Sequence, residues 1–159
     1  MKTVYLALGT NLGDRLANLR TALDTLPPQV RIRRESGIYE TPPWGFTEQP
    51  AFLNMVIEAE TDLRPLTLLH YLKGLEASLG REKSFRYGPR HIDLDILFYD
   101  DLLLDDELLT LPHPRLHERG FVLVPLAEIA PQYIHPRLKR SIADLLREVD
   151  TRGITPFSV

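Results

Sequence analysis

The chain has 159 residues and no cysteine. Disulfide staples, thiolate nucleophiles and cysteine metal sites are thereby excluded, and the composition fits a reducing compartment. It also lacks a basic excess. Its 19 Lys and Arg are outnumbered by 22 Asp and Glu, for a formal net charge of −3. No global positive field points to a nucleic-acid partner. Long apolar runs are missing too. The opening MKTVYLALGTNLG carries an apolar stretch too short for a signal-peptide core or a membrane span. No internal repeat and no low-complexity segment interrupts the chain. These absences predict a cytoplasmic, soluble protein with no membrane partner, and a monomer is the expected state. Residues 1–159 would form one domain, long enough to bury a core without staples. Proline, in contrast, is plentiful. The 13 prolines fall between the periodic segments, where they suggest stiff, ordered loops.

The segments alternate in period. TVYLALG (3–9) reads as a buried strand. The stretch from Asn11 to Pro28 switches to helical spacing, with Leu16, Leu19, Leu23 and Leu26 on one face. Asn11 or Asp14 is placed to cap it, and Pro27-Pro28 stops it. VRIRRESGIYE (30–40) alternates like a half-exposed strand, and FLNMVIEAET (52–61) is another. A second helix follows, with Pro65 near its first turn, Gly80 past its end, and Leu68, Leu69, Leu72 and Leu79 as its buried stripe. IDLDILFYDD supplies a further strand, and SIADLLREV (141–149) a short final helix. The tail between them mixes short strand and helix signals with prolines. The order β-α-β-β-α-β predicts an α+β, ferredoxin-like sandwich. Its antiparallel sheet would carry helices on one face and leave the other open to ligands, and a C-terminal extension would follow.

Several stretches carry chemistry. Asp93 and Asp95 sit two apart in a strand, so they share a face, roughly 7 Å apart. Ile92, Leu94, Ile96 and Phe98 point the other way. Paired carboxylates invite a hard cation such as Mg²⁺; a solvent-facing strand that is simply acidic is the plain alternative. Arg81, Lys83, Arg86 and Arg90 crowd the preceding loop. Cations beside an acidic pair suit phosphoryl transfer, although a solubilising loop has the same composition. PHPRLHERGF (112–121) is a second basic cluster, fit either to hold phosphates or to cap the next helix. Glu76 shares the apolar stripe of the second helix and calls for a partner: an arginine, a nucleotide group or a metal-bound water. TPPWGFTEQPAFLN sets Trp44, Phe46 and Phe52 near Asn54. Flat rings and one amide suit a planar heterocycle, or else the rings plug the sheet edge.

Taken in order, LGTNLGD, YETPPWG, QPAFLN, LEASLGR, RYGPRHIDLDIL and LPHPRLHERGFVLVPL resemble the 6-hydroxymethyl-7,8-dihydropterin pyrophosphokinases of folate biosynthesis. The resemblance implies transfer of a diphosphoryl unit from ATP, the co-substrate, to the hydroxymethyl group of the reduced pterin, releasing AMP. It implies two Mg²⁺ ions on Asp93 and Asp95, with Arg81 and Arg90 acting during transfer. Glu76, Lys83, Ile96, Thr110, His113 and Arg119 would hold the nucleotide. Thr41, Pro42, Pro43, Trp44, Phe52, Asn54 and Phe121 would form the pterin pocket, Phe52 and Phe121 sandwiching the ring. Phe52 stands where the family pattern has tyrosine, and Tyr87 where it has tryptophan. The rival readings are a metal-dependent phosphohydrolase and a non-catalytic ferredoxin-like binding module.

Overall fold

The computed structural model describes residues 1–45, 47–80 and 91–158. The expectations placed on Phe46, Arg81, Lys83, Arg86, Tyr87 and Arg90 lie outside these residues. β1 (Lys2–Thr10) runs through the middle of an antiparallel sheet. α1 (Arg15–Thr25) follows, capped by Asp14, whose carboxylate accepts the Ala17 N–H at 3.1 Å. The segment 30–40 is divided: β2 (Val30–Glu35) and β3 (Tyr39–Thr41) are separate strands. Between them the Ser36 hydroxyl accepts the Val56 N–H, which takes that N–H out of the ladder and turns the chain. β4 (Phe52–Thr61), α2 (Pro65–Ser78) and β5 (Asp93–Tyr99) follow, so the order differs from the expected one by the extra strand. Beyond them lie a small hairpin of β6 (Leu104–Asp105) and β7 (Thr110–Leu111), then α3 (Gly120–Ile129), α4 (Ile142–Leu146) and β8 (Thr155–Pro156).

The strand order is β5-β1-β4-β3-β8, and β2 pairs with the other half of β4. Alternation along β1 and β4 sorts side chains into two layers. Val4, Leu6 and Leu8, with Leu53, Met55 and Ile57, face α1 and α2 and enclose Leu19, Leu26, Leu68 and Leu72. Tyr5 and Val56 face the opposite way, toward Val122, Leu123, Leu126 and Ile129 of α3.

Two expectations need correction here. The second face is not bare, because α3 and α4 cover much of it; helices therefore flank both faces of this α+β, antiparallel fold. α3 escapes a periodicity reading because its composition is apolar all round, and Pro125 sits inside it. Phe98 also does not join Leu94 and Ile96. The pairing of β5 with β1 shifts register between Tyr5 and Leu6, so Leu97 and Phe98 both enter the second core. One extra residue in a strand reverses every side chain beyond it. Among the described residues, no helix is long and apolar enough to cross a membrane.

His135 is buried against Phe98, ring centroids 5.5 Å apart, and its Nδ1 accepts the N–H groups of Arg137 and Leu138. Burial, with the nearby His117 and Arg137, pushes its pKa down to about 4. The unfolded chain, with an ordinary histidine pKa of about 6.5, binds the proton first as pH falls. Stability contributed by the neutral ring is therefore complete above pH 6.5 and drains away toward pH 4. His135→Asn keeps an oxygen acceptor for the turn. It is expected to flatten the loss of urea stability between pH 6.5 and 4.5.

Candidate active site

The open part of the second face lies at the end of β1 where side chains become small. Gly9 stands opposite Asn54 on β4 and Asp93 on β5, and Ala7 stands opposite Asp95. A Cβ on Gly9 would come within 2.5 Å of Asn54 Oδ1. The floor between the two functional strands is thus bare by necessity. Above it is a cavity of ≈ 250 Å³. Asp93, Asp95, His113 and Arg119 are part of its lining. Thr41, Pro42, Trp44, Phe52, Asn54 and Phe121 line the same volume. Leu97 and Val122 add apolar lining.

Each wall has an identifiable support. Asn54 is buried and donates from Nδ2 to the Thr41 hydroxyl at 2.6 Å, which fixes the amide plane and sets Oδ1 over Gly9. Trp44 meets Phe121 at 6.5 Å between centroids, tilted by 56°. The Arg119 guanidinium lies 4.6 Å from the Trp44 centroid and 5.6 Å from that of Phe121, and Arg115 lies 5.8 Å from Trp44. Such stacking holds a guanidinium in place while its edge remains able to donate. The backbone N–H of His113 donates to Leu97 O at 3.0 Å, while its ring Nδ1 accepts the Arg115 N–H at 3.2 Å. Burial and the cations Arg119, Arg115 and Lys73 push its pKa down to about 4. The ring is neutral at pH 7, and with Nδ1 accepting, Nε2 carries the proton as a donor.

Other expected residues stand apart from the cavity lining. Pro43 borders a neighbouring hollow. Thr110 pairs with Asp105 in the β6–β7 hairpin. The Ile96 side chain faces α1 and α2 in the first core. Glu76 is fully buried on α2; it accepts the Leu94 N–H at 2.7 Å and pairs with Lys73 Nζ at 3.2 Å. A backbone amide and a lysine are thus among its partners. Leu94 lies between Asp93 and Asp95, so Glu76 steadies the strand that presents them. Asp14, not Asn11, caps α1, and Asn11 and Arg15 have another role beside the site. Asn11 donates to Gln49 Oε1 at 2.9 Å and to Pro50 O at 3.0 Å. Arg15 reaches Ala51 O at 3.1 Å and Glu40 at 2.8 Å. Together they clamp the 47–51 loop, and their proximity to the helix cap in LGTNLGD was the available signal.

Comparison with known proteins fixes the reaction. The family model of 7,8-dihydro-6-hydroxymethylpterin-pyrophosphokinase matches residues 5–131. The chain belongs to this family. Its members move a diphosphoryl unit from ATP to the hydroxymethyl group of the reduced pterin, a step of folate biosynthesis, and so does this chain. The pyrophosphokinase of Aquifex aeolicus is 43% identical over 148 residues, 93% of this chain and 92% of that protein. The one from Bacillus subtilis is 47% identical over 130 residues, covering 80% and 78%. A crystal structure of an HPPK-DHPS in complex with substrates shares the fold, with a TM-score of 0.81 at 16% identity over 99% of this chain and 47% of that one. The Plasmodium falciparum HPPK-DHPS with SDX-DHP gives 0.77 at 18%, over 100% of this chain and 48% of that one.

Pyrophosphokinases handle a polyphosphate, and the carboxylates here suit the cation that accompanies one. Among the described residues, no three His, Cys, Asp or Glu side chains converge as a cage. A pair of carboxylates on one strand face fits Mg²⁺, which keeps water and takes its remaining ligands from phosphate oxygens. The role of Glu76 is open to direct measurement. Glu76→Gln retains an acceptor for Leu94 and is expected to cost about 1 kcal/mol by urea unfolding. Glu76→Ala leaves the amide unsatisfied beside a void and is expected to cost roughly 3 kcal/mol.

Proposed function

We propose that the cavity divides the pyrophosphokinase reaction between a phosphate half and a pterin half, with Gly9 at their junction. The observation that carries this reading is the meeting of Asp93, Asp95, His113 and Arg119 with Asn54, Trp44, Phe52 and Phe121 around one volume. The reduced pterin lies between the aromatic side chains, Phe52 and Phe121 on its faces, and Asn54 bonds its polar edge. Thr41 and Pro42 close the near wall. The triphosphate lies across the aspartates, where His113 Nε2 donates and Arg119 neutralises charge. Asp93 and Asp95 hold two Mg²⁺ ions, which supply charge neutralisation for the phosphates when bound. On the family resemblance, Arg81 and Arg90 act during transfer, and Lys83, Thr110 and the backbone around Ile96 serve the nucleotide.

In the reaction the pterin hydroxyl oxygen attacks the β-phosphorus. The bond from that phosphorus to the α,β-bridging oxygen breaks, AMP leaves, and the hydroxyl proton is released. The residues position the reactants and stabilise charge; no protein nucleophile is needed. We further read residues 1–159 as one catalytic domain, a ferredoxin-like sandwich with a C-terminal extension, acting as a cytoplasmic monomer on small-molecule substrates. The element order β1-α1-β2-β3-β4-α2-β5 supports the fold assignment, since β2 and β3 pair with successive parts of β4 and together take the place of one strand.

Incubation with ATP, Mg²⁺ and 6-hydroxymethyl-7,8-dihydropterin is expected to yield AMP; ADP as the nucleotide product, or phosphate released without pterin, would refute the assignment. Asp95→Ala is expected to lower kcat/KM by about 10³-fold with an unchanged circular dichroism spectrum. Wild-type turnover in that variant would remove the metal role.

A further inference from the structure

The segment from Asp150 to Phe157 lies outside the cavity, yet it touches both walls of the pterin half. At one end β8 pairs with β3, Pro156 opposite Tyr39 and Thr155 opposite Glu40, and Phe157 N–H donates to Ile38 O at 2.8 Å. Arg15, already bonded to Glu40 and Ala51 O, lies 5.7 Å from the Phe157 ring centroid. In the middle, Gly153 has φ +81, and a Cβ on it would stand 3.3 Å from Pro42 Cγ. At the other end, the carbonyl of Asp150 fills the space beside Gly120. A Cβ on Gly120 would meet that oxygen at 2.6 Å and Ile154 Cδ1 at 3.0 Å. Gly120 immediately precedes Phe121. Asp150 and Arg152 close the turn between the two contacts, Nη2 to Oδ2 at 2.8 Å and the Arg152 N–H to Oδ1 at 3.0 Å.

Between this segment and the pterin wall is a second hollow of ≈ 240 Å³. Pro42, Trp44 and Phe121 line both cavities, so they form a thin partition with space on each side. The place of such a partition is set at its edges. The 150–157 segment supports two of them, at Pro42 through Gly153 and at the root of Phe121 through Gly120.

We infer that residues 150–157 are a positioning element for the pterin pocket, in which Gly153 sets the place of Pro42. The inference rests on the pterin-half reading above. A side chain at 153 pushes Pro42 inward, narrowing the slot for the pterin while leaving the aspartates and His113 untouched. The test is steady-state kinetics of the full chain carrying Gly153→Ala, with KM measured separately for pterin and ATP and with thermal unfolding as a folding control. The expected result is a pterin KM raised by about tenfold and an ATP KM within about twofold of wild type, a split that general destabilisation does not produce. Gly153→Asn is the companion, because asparagine tolerates positive φ but keeps the Cβ contact. It is expected to show the same pterin-selective loss. Wild-type pterin KM in both variants, or a loss confined to Gly153→Ala, overturns the role of the Pro42 contact. Equal rises in both KM values overturn it as well. A wild-type chain that makes no AMP with pterin present removes the pocket reading itself, a result separable from any of these.

Discussion

The whole site depends on the absence of a side chain at Gly9. Asn54 and Asp93 flank that glycine on neighbouring strands, and Asn54 Oδ1 occupies the space that any larger residue would need. β1 carries no side chain at Gly9, while its neighbours β4 and β5 present Asn54 and Asp93 on either side. A larger residue at position 9 would displace the amide and reshape the cavity floor between Asn54 and Asp93. On the reverse face the same stretch of β1 carries Leu6 and Leu8, fully buried in the core with α1 and α2.

Covering the second face with α3 has an electrostatic result. The segment leading into α3 places Arg115 and Arg119 over Trp44, and α3 itself carries Phe121 and Val122 into the lining. Cations held against rings at the edge of a partly dry cavity attract phosphate more strongly than they would in bulk water. The same cations help to keep His113 neutral, so the ring serves as a fixed donor across the physiological range. Glu128 ties α3 back to the sheet by accepting the Gly37 N–H at 3.0 Å and the Tyr39 hydroxyl at 2.5 Å.

Much of this was legible in the sequence because it follows from periodicity. Alternation put Asp93 and Asp95 on one face. Helical spacing with a cap and a proline stop gave α1, and the spacing of leucines gave α2. The motifs then placed Asn54, Trp44, Phe121, His113 and Arg119 in one site, and the cavity does gather them. What escaped depended on contacts between distant segments. The bulge that turns Phe98 over is a property of pairing with β1, not of β5 alone. α3 has no polar face to betray its period. A buried carboxylate such as Glu76 needs a partner, and its bond to the Leu94 N–H could not be known before α2 was docked on β5.

β5 is the outermost strand of the sheet, and its outer rim offers backbone groups that could template a foreign strand. Two of those groups are already occupied. The Glu76 carboxylate takes the Leu94 N–H, and the backbone of His113 gives its N–H to Leu97 O. Each is adjacent in sequence to a group of the cavity lining or belongs to one of its residues. Guarding the rim against self-association and holding the aspartates in register are thus one task. A change that loosens the carboxylates also bares the edge, so a weakened enzyme of this kind is also one more prone to aggregate.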